Sequence, residues 1–282
     1  TDNTSNTSDN LSVRGLDKLG NITDNFTIGS REPALVQITP VPSLTNDNTP
    51  NYTFFSTLPG TINYSGDCDS DNRSAVGENN NTVTFNALGE GTHSNCEISV
   101  TTSVGVTSDN LSVSSFTIDT TAPTLVETTG VSILTNDNTS LSYIFSSTEG
   151  GTITFVGDCS SDNNTAVADN MTVSFAALAD GTYDTCYIKV TDSAGNSREI
   201  KVNTFTIDTI APNLAEIDPV DTPTNDNSTL SYTFSSTEAG TITYGVCSGS
   251  PDNASKDNNT ITFNALAEGT YDNCTITVTD SA

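Results

Sequence analysis

The sequence contains no tryptophan, one histidine, one methionine and only eight lysine and arginine residues among 282. Thirty-five aspartate and glutamate residues leave a formal net charge of −27 at pH 7. Nucleic acids and anionic membrane surfaces both require cationic protein groups, so we expect neither as a partner. We expect no direct membrane insertion, because no apolar run approaches the roughly 18 residues that cross a bilayer.

The scarcity of histidine argues against an enzyme. His93 lies in the turn Gly-Thr-His-Ser-Asn-Cys, where a solvated polar residue is the ordinary interpretation. The sequence has no Gly-x-Ser-x-Gly motif, no glycine-rich phosphate loop and no histidine-based metal cluster. We therefore expect a protein without catalytic activity.

Two short sequences recur with a spacing of about 90 residues. They are Thr-Asn-Asp-Asn at 45–48, 135–138 and 224–227, and Phe-Thr-Ile at 26–28, 116–118 and 205–207. A unit of this length has the size of a small domain. The chain accordingly divides into an N-terminal segment at 1–29 and three repeats at 30–119, 120–208 and 209–282.

Each repeat consists of short runs rich in Val, Ile, Thr, Tyr and Phe, separated by Gly, Asn, Asp and Ser. In the third repeat the runs are 230–237, 241–246, 259–266 and 274–280. No amphipathic helix of useful length is present. Six or seven strands in each unit predict an all-β fold of tandem immunoglobulin-like antiparallel β-sandwiches. The third repeat stops before a Phe-Thr-Ile strand, so we expect it to lack its final strand.

Six cysteines fall as one pair in each repeat. The pairs are Cys68 and Cys96, Cys159 and Cys186, and Cys247 and Cys274. In an immunoglobulin-like sandwich the first of each pair follows strand C and the second begins strand F, its neighbour in the same sheet. Disulfides within each repeat are therefore predicted, together with an oxidising, extracytoplasmic location. Three pairs of buried free thiols are the alternative.

Three acidic positions recur together: one follows Phe-Thr-Ile, one lies in the B–C turn and one in the F–G turn. They are Asp119, Glu149 and Asp192 at the joint before the second repeat, and Asp208, Glu238 and Asp280 at the joint before the third. At the joint before the first repeat the same positions are Gly29, Leu58 and Thr102. Ligands of one hard cation would be lost as a set, so we predict Ca²⁺ at the two later joints only.

Ordinary turn chemistry offers another interpretation of acidic residues, because Asp and Asn favour turns without any cation. This turn interpretation is stronger for the aspartates of the Thr-Asn-Asp-Asn motifs, which are therefore weaker candidate ligands. These are Asp47, Asp137 and Asp226.

The N-terminal segment carries a strand without a domain of its own. Its residues 7–13 are identical to residues 107–113, which belong to the final strand of the first repeat. In one arrangement Leu11, Val13, Phe26 and Ile28 of one copy insert into the third repeat of another copy. Such donor-strand complementation is head-to-tail and builds a pilus-like filament.

In a second arrangement the sequence is one window of a longer tandem array, and the segment completes a preceding domain. The numbering begins at Thr1 without a signal peptide, which fits a processed terminus or a position inside a longer protein. The insertion at 14–21 is absent from the other final strands, yet it is similar to an Asp-x-Ala-Gly-Asn turn, so both arrangements stay open.

The sequences at 116–123, 190–196 and 235–240 resemble the bacterial immunoglobulin-like repeats of large surface adhesins and extracellular fibres. The resemblance covers essentially the whole chain. It implies a non-enzymatic, load-bearing or adhesive role at the cell surface, with Ca²⁺ stiffening the joints through the six acidic residues named above. Other copies of the chain are the expected partners, and a surface receptor or glycan is a further candidate.

Overall fold

The computed structural model describes residues 31–282 and the backbone of two strands at 12–16 and 22–27. All regular elements in this part of the chain are β-strands, so the all-β prediction is confirmed. Consequently, the described residues offer no helix long and apolar enough to cross a membrane.

The N-terminal segment contains two strands rather than one. Strand β1 (Ser12–Leu16) pairs antiparallel with β2 (Ile22–Thr27), and the register places Val13 opposite Phe26. Leu11 and Ile28, the other two predicted donor positions, lie outside the described residues.

The first repeat forms three small sheets, with strand orders β3-β5-β8, β11-β10-β6-β7 and β4-β12-β9. Its strands are β3 (Leu35–Thr39), β4 (Leu44–Thr45), β5 (Asn51–Ser56), β6 (Gly60–Ser65), β7 (Ser74–Ala75), β8 (Asn79–Thr84), β9 (Gly91–His93), β10 (Glu97–Thr101), β11 (Leu111–Ser112) and β12 (Phe116–Ile118).

The second repeat has the same three sheets, with strand orders β13-β15-β18, β17-β16-β20-β21 and β14-β22-β19. Its strands are β13 (Leu125–Thr129), β14 (Leu134–Thr135), β15 (Ser142–Ser147), β16 (Gly151–Val156), β17 (Thr165–Ala166), β18 (Asn170–Ser174), β19 (Gly181–Tyr183), β20 (Tyr187–Thr191), β21 (Ser197–Lys201) and β22 (Phe205–Ile207).

The third repeat has two sheets, with strand orders β23-β24-β28-β26 and β27-β25-β29. Its strands are β23 (Leu214–Asp218), β24 (Ser231–Ser236), β25 (Gly240–Tyr244), β26 (Gly249–Ser250), β27 (Asn253–Ala254), β28 (Asp257–Phe263) and β29 (Ile276–Thr279). The sheet built around a Phe-Thr-Ile strand in the other two repeats has no counterpart among the strands of 209–282.

Each repeat has its own hydrophobic core, built by strands whose alternate side chains face inward. Along β5, for example, Tyr52 and Phe54 are fully buried while Asn51 is exposed. The first core contains fourteen buried apolar residues, the second fifteen and the third only five. The third repeat therefore has much less buried apolar surface to stabilise it.

The chain forms two compact units that do not coincide with the three repeats. One comprises Thr1–Pro123 and Thr191–Ser197, and the other comprises Thr124–Val190 and Arg198–Ala282. The turn between β20 and β21 thus belongs to the same unit as the first repeat.

Three disulfides confirm the predicted cysteine pairing. The Cα atoms lie 5.2 Å apart in Cys68–Cys96, 5.4 Å in Cys159–Cys186 and 5.2 Å in Cys247–Cys274. Each closes a loop of 27 or 28 residues, which stabilises the folded state by about 3–4 kcal/mol in the chain-entropy treatment. Such a set of bridges is typical of proteins from an oxidising compartment.

Candidate functional site

The Phe-Thr-Ile strands close the cores of the first two repeats. Strand β12 pairs in parallel with β4 on one side and antiparallel with β9 on the other, and β22 does the same with β14 and β19. Phe116, Ile118, Phe205 and Ile207 are each no more than 1% exposed. In each of these sheets the two outer strands pair only with the central Phe-Thr-Ile strand, so the sheet depends on that strand.

An aromatic seat holds the phenylalanine of each of these strands. The ring of Phe205 lies 6.5 Å from that of Phe175 and 5.2 Å from that of Tyr183. The hydroxyl of Tyr183 donates a hydrogen bond of 2.8 Å to the carbonyl of Ala179, which fixes the ring. In the first repeat Phe116 has the corresponding neighbours, Phe85 at 6.4 Å and His93 at 5.4 Å.

A carboxylate holds the chain just beyond each Phe-Thr-Ile strand. Asp180 accepts hydrogen bonds from the backbone N–H of Thr209 at 3.1 Å and from its hydroxyl at 2.8 Å. Glu90 accepts the same two bonds from Thr120, and its pKa is lowered, chiefly by the Thr120 hydroxyl and then by the Thr120 N–H. Both threonines stand two positions after the isoleucine. The carboxylate therefore clamps the end of the strand.

An open groove of about 720 Å³ occupies the third repeat at the corresponding place. Apolar and aromatic residues among its lining are Val220, Leu230, Tyr232, Phe263, Leu266 and Tyr271. Their counterparts in the core of the second repeat are Val131, Leu141, Tyr143, Phe175, Leu178 and Tyr183. Side chains that share a core with Phe205 and Ile207 in the second repeat thus have equivalents in the third, where no strand corresponds to β22.

The aromatic seat of the groove is already formed. The hydroxyl of Tyr271 donates a 3.0 Å hydrogen bond to the carbonyl of Ala267, as Tyr183 does to Ala179. Tyr271 is nevertheless 43% exposed, because no phenylalanine covers its ring. The segments 222–224 and 269–271, which correspond to β14 and β19, are not strands here.

Two of the acidic residues predicted at the joint before the second repeat, Asp119 and Asp192, lie together within the first compact unit. A carboxylate oxygen of Asp119 and one of Asp192 lie within 4.8 Å of each other in the first compact unit. The side-chain amide of Asn196 links the two residues, because its Nδ2 donates to the backbone carbonyl of Asp119 at 2.8 Å and to Oδ2 of Asp192 at 2.9 Å. Asn46 of the first Thr-Asn-Asp-Asn motif lies close to Gly195 of the same turn.

Asp192 also closes its own turn. Its Oδ1 accepts backbone N–H groups from Ala194, Gly195 and Asn196 at 2.7–2.9 Å, and the residue is 9% exposed. Thr102, its counterpart in the first repeat, is 8% exposed and accepts the N–H of Val106 through its hydroxyl at 3.2 Å. A neutral hydroxyl therefore suffices to close this turn, and the turn alone does not account for the negative charge of Asp192.

Glu149 and Glu238 occupy equivalent turns that do not depend on their carboxylates. The hydroxyl of Ser147 donates to the carbonyl of Glu149 at 2.6 Å, and Ser236 donates to Glu238 at the same distance. Ser56 makes the same bond to Leu58, where the side chain is apolar. The turn tolerates leucine and glutamate alike, so its geometry does not require an acid.

At the joint before the third repeat, Asp208, Glu238 and Asp280 do not form a carboxylate group of that kind among the described residues. Asp280 accepts the N–H of Ala282 at 2.9 Å, and Asp208 accepts the N–H of Ile210 at 3.2 Å.

The weaker candidates serve as turn caps. Asp47 accepts the N–H of Thr49, and Asp226 accepts those of Ser228 and Thr229. The pKa of Asp137 is lowered to about 2, chiefly by the hydroxyl of Ser140 and then by backbone N–H groups. These hydrogen bonds account for all three aspartates without a cation.

Comparisons with known proteins add little to this description. No family model matches the chain, and no curated protein matches it. A solved structure, Escherichia coli alpha-2-macroglobulin activated by porcine elastase, aligns with a TM-score of 0.24 and 9% identity over 91% of this chain. The alignment spans 32% of that protein. The resemblance to bacterial immunoglobulin-like repeats therefore stays a prediction.

Proposed function

We propose that the protein is a non-enzymatic structural component of an extracellular filament, built from immunoglobulin-like sandwiches of which the third lacks its final strand. Subunits join head-to-tail when the N-terminal segment of one copy fills the third repeat of the next. The groove in the third repeat carries this proposal. It has the aromatic seat that holds a Phe-Thr-Ile strand in the other repeats, and the N-terminal segment contains such a strand at 26–28.

Strand addition also explains how the third repeat avoids exposing its core. An open core and an unpaired strand edge favour aggregation, and a donated strand covers both. Because the donor and the groove are different surfaces at opposite ends of the sequence, each added copy leaves another donor and another groove unfilled. Association of this kind does not close on itself and produces filaments.

Light scattering on the chain with its disulfides intact tests this function. We expect the full chain to form assemblies that grow with concentration, and a chain that starts at residue 30 to remain monomeric. A matched control replaces only residues 1–10 with a Gly/Ser sequence and keeps 11–29, so it should still assemble. Equal scattering by the full and truncated chains would contradict the proposal.

A second candidate function is favoured by the N-terminal hairpin. Strands β1 and β2 flank residues 17–21, Asp-Lys-Leu-Gly-Asn, just as β20 and β21 flank residues 192–196, Asp-Ser-Ala-Gly-Asn. In that case the hairpin is the F–G hairpin of a preceding sandwich, and the sequence is a window of a giant tandem-repeat surface adhesin. Monomeric behaviour of both chains in the scattering experiment favours this candidate.

Calcium at the joint before the second repeat is compatible with either function. We propose that Asp119 and Asp192 bind Ca²⁺, with Glu149 as the third carboxylate predicted by the sequence. The support is that Thr102 and Leu58 maintain the same turns without charge, so the acids have a role beyond the turns. Carboxylates and a nearby carbonyl oxygen are the ligands that Ca²⁺ prefers.

Thermal unfolding with and without Ca²⁺ tests the joint. We expect saturating Ca²⁺ to raise the Tm, since a ligand at 100 times its Kd stabilises the folded state by about 2.7 kcal/mol. Asp192→Asn keeps an acceptor for the turn but removes the charge, so it should abolish most of the shift. Asp226→Asn, in a turn cap, is the control that should keep it. A shift that survives Asp192→Asn would refute the assignment.

A further inference from the structure

We infer that the groove of the third repeat recognises the sequence Phe-Thr-Ile-x-Ser/Thr, and that its occupant is residues 26–30 of a second copy, Phe-Thr-Ile-Gly-Ser. This inference rests on the proposed head-to-tail assembly and specifies how the two surfaces meet. Phe26 stacks between Phe263 and Tyr271, and Glu268 binds Ser30.

The seat for Phe26 follows from the two complete repeats. Phe205 is stacked against Phe175 and Tyr183, and their counterparts Phe263 and Tyr271 line the groove. The hydrogen bond from Tyr271 to Ala267 holds the exposed ring in the orientation of Tyr183. Since the seat is preformed, little side-chain entropy is lost when a phenylalanine enters it.

The clamp for Ser30 follows from the position after the strand. Glu90 and Asp180 each precede a Gly-Thr pair and bind both the N–H and the hydroxyl of a threonine two positions after the isoleucine. Glu268 precedes the third Gly-Thr pair, at 269–270. Ser30 stands two positions after Ile28 and offers the same two donors. A carboxylate that accepts two hydrogen bonds makes a strong, directional contact.

Backbone hydrogen bonds fix the direction of the incoming strand. The N–H of Thr206 donates to the carbonyl of Ile133, and that of Asp208 donates to Thr135. The counterparts of these two acceptors are Thr222 and Thr224. Residues 26–28 therefore run parallel to 222–224 and antiparallel to 269–271, and both segments become strands when the donor is bound.

The N-terminal hairpin must open for this exchange. Phe26 and Thr27 are paired with Val13 and Ser12, and a donor strand needs both of its edges for the groove. A two-stranded hairpin standing alone is only marginally stable in water, so opening it opposes assembly weakly.

Sedimentation velocity on the full chain over a concentration series tests the inference. We expect Phe26→Ala to weaken self-association at least about a hundredfold, as the loss of a buried aromatic does in a core. Glu268→Gln and Ser30→Ala should each weaken it several-fold. The double variant Glu268→Gln/Ser30→Ala should associate no more weakly than either single variant, because the two substitutions remove the same contact. Asp252→Asn, at an exposed acid of the third repeat outside the groove, is the control that should associate like the unmodified chain.

A fluorescent peptide of residues 22–30 separates this inference from the filament. Binding of the peptide to a chain that starts at residue 31, lost on Glu268→Gln and Tyr271→Ala, supports the recognition even when the full chain does not assemble. Assembly of the full chain that is unaffected by Phe26→Ala and Glu268→Gln keeps the filament but overturns the recognition. If the peptide does not bind and no assembly occurs, both proposals fail.

Discussion

Residues at equivalent turn positions of the first and second repeats show which side chains the turns themselves require. Thr102 and Asp192 close the same turn with similar burial, one with a hydroxyl and the other with a carboxylate. Leu58 and Glu149 occupy another turn whose hydrogen bond comes from a neighbouring serine. Comparison of repeats within one chain thereby identifies charges that the turns do not need, which supports the proposed cation at the joint before the second repeat.

We expect Asp137 to contribute to the acid sensitivity of the second repeat. Its pKa of about 2 lies below the ordinary value for aspartate, because Ser140 and nearby N–H groups stabilise the ionised form. The resulting stabilisation is complete above pH of about 4 and is lost as the pH falls through 2. We expect the free energy of unfolding to fall less steeply between pH 4 and 2 in Asp137→Asn.

Urea unfolding at pH 4, 3 and 2, followed by tyrosine fluorescence, measures this slope. Ser140→Ala, which removes the largest stabilising hydrogen bond, should give an intermediate slope. Identical slopes for Asp137→Asn and the unmodified chain would contradict the assignment.

Among the elements, the Phe-Thr-Ile strand makes the largest difference between repeats. With β22 in place, the core of the second repeat contains fifteen buried apolar residues, whereas the core of the third, which has no such strand, contains five. We therefore expect the third repeat to depend more heavily on its disulfide than the second does.

Replacing both cysteines of one pair by serine tests this dependence. Removal of Cys159–Cys186 or of Cys247–Cys274 opens loops of equal length, so each should cost about 3–4 kcal/mol. We expect the second repeat to remain folded and the third to unfold, because its smaller core leaves less stability to lose. Hydrogen exchange of β18 and β28 measures the two repeats separately, and equal protection of both in the two variants would disprove the prediction.

At the scale of the whole molecule, charge opposes assembly. Each copy has a formal net charge of −27, so copies repel one another at low ionic strength. The Debye length is about 30 Å at 0.01 M salt and about 8 Å at 0.15 M, so added salt screens the repulsion between copies. We therefore expect NaCl to strengthen head-to-tail association over this range. Sedimentation at the two salt concentrations checks the direction, and weaker association at 0.15 M would point to a contact held by opposite charges.

The sequence was sufficient to predict the features that depend on local pattern. The predicted run 230–237 contains β24 (Ser231–Ser236), and the cysteine pairs joined as expected. The three-stranded sheets around β12 and β22 escaped prediction, because their parallel partners are two-residue strands about 70 positions away. Glu268 was missed for a similar reason, although acids before Gly-Thr recur in all three repeats and were a usable signal.

The parallel pairing of β4 with β12, and of β14 with β22, has a mechanical consequence. In each pair one strand lies near the start of its repeat and the other near its end, so tension on the chain pulls the two strands past each other. Hydrogen bonds loaded in this direction must break together rather than one at a time. The described strands of the third repeat include no such pair, and in the proposed filament an inserted strand would supply it. In a filament under flow, the subunit contact would then serve as the clamp that keeps the third repeat folded.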